Sequence, residues 1–122
     1  MNDYISNLIL QALDNEYFRN VLETGNAMQI VIMSLKPGED IGAEVHEHVE
    51  QALICLSGSG KSVVDGEEHE YVSGDLVLVR AGREHNFINT GSKDMKILTI
   101  YSPPNHAEGT VHKTKAEAET KE

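Results

Sequence analysis

Hydrophobic residues recur along this chain with two different periods. Over residues 5–13, ISNLILQAL, the apolar positions Ile5, Leu8, Ile9, Ala12 and Leu13 fall at helical spacing on one stripe. That stripe predicts a short amphipathic N-terminal helix. From about Tyr17 the pattern changes. QIVIMSL (29–35), ALICLS (52–57), KSVVD (61–65), DLVLV (75–79), HNFINT (85–90) and KILTIY (96–101) are brief β-branched or aliphatic runs. Between them stand PGED, SGSG, VDGE, SGD, AGRE, TGSKD and SPPN, all rich in turn formers. Strands this short and this regularly spaced predict an all-β chain, an antiparallel sandwich or barrel. Asp65-Gly66 predicts a two-residue hairpin, because both turn positions need positive φ. Val31, Met33, Leu53, Val79, Ile97 and Thr99 either line a pocket or fill the interior, and filling is the default in a small barrel.

Composition narrows the partners. The 122 residues are expected to form a single domain over 1–122, long enough to bury a core without staples. A net charge of −10 argues against nucleic acid or an anionic membrane surface, whose contacts run on clustered Lys and Arg. Cys55 is the only cysteine, so there is neither a disulfide framework nor a cysteine-rich zinc site. Lying in ALICLS, it reads as a small buried hydrophobe. The N-terminus lacks the pattern of a signal peptide, and no apolar run approaches the ~20 residues of a membrane span. The expected compartment is therefore the cytoplasm. The C-terminal residues 105–122 mix both charge signs and read as a polar, solvated tail.

The chemistry concentrates in EVHEHVEQ, residues 44–51. Glu44, His46 and His48 alternate, so on a strand they share one face. Two histidines and a carboxylate suit a non-haem Fe(II) site with open positions, and Mn²⁺, Ni²⁺ or Zn²⁺ fit the same donors. The surrounding frame is more specific than the histidines. From Pro37-Gly38 five residues lead to Glu44, one to His46, four to Gln51 and six to Gly58. From Gly74 five lead to Arg80, then come Gly82, two residues to His85 and three to Asn89.

These two blocks, about 37–58 and 74–89, resemble both signature motifs of the cupin superfamily, with every spacing kept. The resemblance covers roughly residues 30–101. It implies an antiparallel jelly-roll β-barrel of the RmlC-like kind. Glu44 stands where the first histidine is usual, Gln51 where the glutamate is usual, and Arg80 where proline is usual. The chain also looks like a small single-domain branch with Glu-Val-His before a Gln and a tail like YSPPNHAEGTVHKTKAEA.

The resemblance implies a divalent transition metal (Fe, Mn, Ni or Zn) held by Glu44, His46, Gln51 and His85. Reading His46 and His48 as the ligand pair would bring Leu53 to the fourth position, where it cannot coordinate. His48 is therefore placed in the following turn, solvated or near the mouth. Asn89 reads as a turn or strand-end residue, His69 as exposed, and His106 and His112 as surface residues of the tail, a lid over the pocket being the alternative. The resemblance further implies a homodimer and a small-molecule ligand or substrate. Two functions stay open: a metal-dependent isomerase, lyase or dioxygenase acting on a sugar- or keto-acid-like molecule, and a non-catalytic ligand or metal sensor. His48 and Tyr101 are the candidate proton carriers of the first.

Overall fold

A computed structural model describes residues 3–120. A short helix α1 (Leu8–Asp14) opens it. Ten strands follow: β1 (Arg19–Thr24), β2 (Gln29–Leu35), β3 (Glu44–Val45), β4 (Glu50–Ser57), β5 (Ser59–Val64), β6 (Glu67–Val72), β7 (Leu76–Val79), β8 (Glu84–Asn89), β9 (Met95–Ser102) and β10 (Val111–His112). Helix α2 (Lys115–Thr120) closes it.

The strands form a six-stranded sheet, β10-β1-β2-β9-β4-β7, and a four-stranded sheet, β3-β8-β5-β6. Every pairing is antiparallel. Among the described residues no ladder joins the two sheets, so the arrangement is a sandwich rather than the expected closed barrel. Its core lies between them. Val31, Met33, Leu53, Val79 and Ile97 from one sheet meet Tyr71 and Phe87 from the other, all at most 2% exposed. The aliphatic positions expected to line or fill the interior are thus filling, and Thr99 is buried with them.

Two local devices hold this arrangement. The Asp65-Gly66 hairpin between β5 and β6 has φ of 50° and 82°, both positive as expected. At Gly58, whose φ is 104°, a Cβ would stand 2.9 Å from the Met95 Cα, so the frame glycine admits the β9 backbone.

Both ends depart from expectation. Asn7 caps α1, its side chain accepting from the Leu10 N–H at 3.2 Å, so the helix begins three residues after Ile5. Of the expected stripe only Ala12 is buried, and Ile5 is 89% exposed. The tail is not merely solvated. It returns as β10 along β1, and α2 docks its Ala118 into the core. Residues 121 and 122 of the expected tail, like residues 1 and 2, lie outside the described residues. Among the described residues no helix is long and apolar enough to cross a membrane.

Candidate metal centre

Strand pairing brings the two sequence blocks together. On the β3–β8 ladder Glu44 lies directly opposite His85, and Val45 opposite Glu84. One residue past β3, the His46 carbonyl accepts from the Gly82 N–H at 2.8 Å, which ties the first block to the turn of the second. Gln51 comes from the other sheet, opposite both Val79 and Tyr101. The site therefore spans the two sheets at one end of the core.

Glu44, His46 and His85 each offer one donor atom, and these atoms lie within 4.8 Å of one another. Two donors on opposite sides of a single ion stand about 4.2 Å apart, so small side-chain rotations suffice to close this cluster around one. The hydrogen bonding points the same way. His85 Nδ1 lies 3.1 Å from the Arg83 carbonyl, which makes it the N–H and leaves Nε2 with the lone pair. Gln51 Nε2 donates to Thr99 Oγ1 at 2.9 Å, so its carbonyl Oε1 is turned the other way. Buried and without a hydrogen-bond partner among the described residues are His46 Nε2, His85 Nε2 and Gln51 Oε1. Buried polar atoms are ordinarily satisfied. Two orphaned imidazole nitrogens beside a carboxylate are what a divalent cation would engage, and the orphaned Gln51 oxygen is a further candidate donor from the other sheet.

Electrostatics keep the imidazoles in the ligating form. Burial, then the charges of His85 and Arg19, lower the His46 pKa. Burial likewise lowers that of His85, against the opposing effect of its bond to the Arg83 carbonyl. Burial raises that of Tyr101, which is 2% exposed and whose ring meets His46 edge-on at 6.1 Å between centroids. Cys55 is buried, with its thiol pushed up to about 11 chiefly by burial, and stands outside the cluster.

The remaining candidates separate cleanly. His48 is exposed in the turn at 47–48, and Arg80 is exposed with Glu50 at 3.9 Å. His69 is exposed and paired with Glu67 at 2.8 Å. Asn89 is a strand-end clamp. It donates to the Leu35 and Lys93 carbonyls and accepts from the Gly91 N–H, all within 2.9 Å.

Neither His106 nor His112 lies on the surface as expected. Both are half-buried. His106 Nε2 meets the Tyr101 hydroxyl at 3.2 Å, and burial first, then the charges of Arg19, His46 and His112, pushes its pKa down to about 4. His112 Nδ1 accepts from Arg19 Nη1 at 3.1 Å. Two residues near the site, Arg19 and Gln29, escape a reading of the sequence. Gln29 is fully buried and holds His106 in place. It donates to the His106 carbonyl and accepts from the Asn105 and His106 N–H groups, between 2.8 and 3.1 Å.

Comparison with known proteins agrees with this layout. Residues 31–101 match the model of the cupin domain family. The uncharacterized protein YrkC of Bacillus subtilis (strain 168) is 40% identical over 94% of this chain, and this chain spans 65% of its length. The crystal structure of BH2720 from Bacillus halodurans superposes with a TM-score of 0.95 at 36% identity, over 98% of this chain and 95% of that one. A predicted oxalate decarboxylase from Thermotoga maritima superposes at 0.61 with 26% identity, over 65% and 69% of the two chains. The family match covers well over half of the chain and contains Glu44, His46, Gln51 and His85: the chain belongs to the cupin family.

Proposed function

We propose that this cupin is a metal-dependent enzyme acting on a small polar molecule, with Glu44, His46 and His85 as ligands and Gln51 as a fourth donor. The convergence of the Glu44, His46 and His85 donor atoms, with both imidazole Nε2 atoms buried and orphaned, carries the reading. A divalent ion bound there would act as a Lewis acid towards a substrate carbonyl or hydroxyl oxygen. The chain's own residues supply the rest. Glu44 offsets part of the cation's charge. The bond from His85 to the Arg83 carbonyl and that from Gln51 to Thr99 fix which atom each side chain presents.

Tyr101 and His106 are the pair placed to hold a proton beside His46. Near neutral pH the imidazole is uncharged and the phenol protonated, so one group is ready to accept and the other to donate. That pairing favours isomerase or lyase chemistry, in which a proton moves, over dioxygenase chemistry. Similarity to a predicted oxalate decarboxylase supports the same side. Elemental analysis of untagged protein tests the proposal. Near-stoichiometric zinc, manganese or nickel is the expected outcome. Iron would redirect the assays to dioxygen, and no uptake after incubation with each ion would leave a non-catalytic binding module.

We further propose that the chain works as a homodimer. The outer face of the six-stranded sheet is apolar, and α1 covers part of it through Ala12 against Ile32 and Leu98. On the edge strand β7, Leu76 and Leu78 remain 58% and 47% exposed. An edge with free backbone groups and apolar side chains is complementary to a second copy of itself. Leu78→Glu is expected to halve the mass seen by sedimentation equilibrium. A wild type that sediments as a monomer refutes the dimer.

A further inference from the structure

The metal reading leaves one buried charge unexplained. Arg19 pairs with Met33 on the β1–β2 ladder and alternates with Val21. Met33 and Val21 both belong to the inner core, so Arg19 points inward with them. It is 7% exposed. Its Nη1 donates to His112 Nδ1 at 3.1 Å, and its Nε has no hydrogen-bond partner among the described residues. None of the ion pairs among the described residues includes it. A guanidinium cannot shed its proton, and buried charges are ordinarily paired. Arg19 is therefore built to meet an anion.

The place for that anion adjoins the metal centre. A cavity of about 250 Å³ is lined by Arg19, Glu44, Phe18, Ile41, Gly42 and Lys115, among others. The wall also carries the carboxylates of Glu44 and Glu119, and its other cation, Lys115, is engaged with Asp40, so among the described residues Arg19 is the cation of this wall outside any ion pair. The guanidinium carbon sits 5.2 Å from the centre of the Phe18 ring, a packing that holds its donor fork in one orientation. We propose that Arg19 makes this cavity a carboxylate-recognition site, so that the substrate is a small organic acid held at one end by Arg19 and reaching the metal centre with the other.

This deepens the metal reading and rests on it, because Glu44 and Glu119 in the wall could balance Arg19 by themselves, whereas a divalent ion beside Glu44 leaves the cavity with excess positive charge. The fork matches a planar carboxylate in bidentate fashion. A phosphate, with more charge and more acceptor oxygens, would call on further donors that this wall does not free.

Calorimetric titration of metal-loaded protein with acetate, pyruvate, malonate and inorganic phosphate tests the proposal, with methyl pyruvate as the uncharged control. Pyruvate or malonate should bind the wild type on the order of 30-fold or more tightly than Arg19→Gln. Arg19→Lys should recover part of that loss. Methyl pyruvate should bind wild type and Arg19→Gln alike. Equal carboxylate affinity in wild type and a folded Arg19→Gln overturns the site, as does a preference for phosphate or a wild type that binds none of the carboxylates at millimolar concentration. Metal content measured in the same samples keeps the two readings apart. Metal retained with no Arg19 dependence sinks only the carboxylate site. A wild type that takes up no metal sinks the metal reading and, with it, a substrate held between Arg19 and the metal centre.

Discussion

Alanine at His46 or at His85 is expected to lower metal affinity by more than ~100-fold, while alanine at His48 leaves loading near the wild-type level. Changing a residue that merely orients a ligand typically costs 10–100-fold in affinity, and removing a donor itself should cost more. The three histidines differ in ways the structure makes concrete. His85 is 2% exposed and offers an orphaned Nε2 on the strand facing Glu44. His46 offers the second orphaned Nε2, its backbone pinned by Gly82. His48, two residues on, is exposed in a turn. Metal per chain after exhaustive dialysis, read by elemental analysis beside circular dichroism to check folding, decides the matter. If His48→Ala empties the site while His46→Ala does not, the assignment of the first block is off by one ligand position.

That experiment probes a register already legible in the sequence, because a fixed spacing between two blocks survives any uncertainty about the strands that carry them. The strands of the core were legible for a related reason. QIVIMSL coincides with β2, and KILTIY lies within β9, since both are buried along nearly their whole length and so read as continuous apolar runs. Strand β1 gave no such signal. RNVLET carries a charge at an inward position and a bulge between Val21 and Glu23, so its alternation is broken and its first buried residue looks like a surface arginine. The same masking hid Arg19 as a site residue. Strand β6 shows the opposite limit: only Tyr71 of EEHEYV is buried, and the hairpin turn rather than the strand itself marks its place.

The tail was misjudged because what orders it is not local. Polar residues of mixed charge predict a solvated end, and nothing nearby in sequence predicts that His106 will lie against Tyr101. The partner is Gln29, 77 positions away, at the start of a strand whose next four residues are all apolar. A glutamine in such a run carries a desolvation cost unless its amide is satisfied, and here it is satisfied by the returning chain.

Gln29→Met therefore has a large expected effect of a distinctive kind. The substitution keeps length and apolar bulk but removes two donated and two accepted hydrogen bonds, to Thr24, Asn105 and both backbone groups of His106. Left unsatisfied, those groups would cost about 2–4 kcal/mol. Release of the tail into water would recover part of this by exposing His106. The imidazole reports which occurs. In the wild type its pKa is pushed down to about 4 from the ordinary 6.5, mainly by burial, so folding disfavours its charged form. The contribution of this group to stability is thus full above 6.5 and is lost as pH falls through that interval towards 4. In Gln29→Met the His106 pKa should climb back towards 6.5 in an NMR titration, and this acid-side loss of stability should flatten. A His106 that still titrates near 4 in the variant would mean that Tyr101 and the strand β10 anchor hold the tail without Gln29. The return to 6.5 would instead tie the Tyr101–His106 pair beside the candidate metal centre to one buried amide on β2.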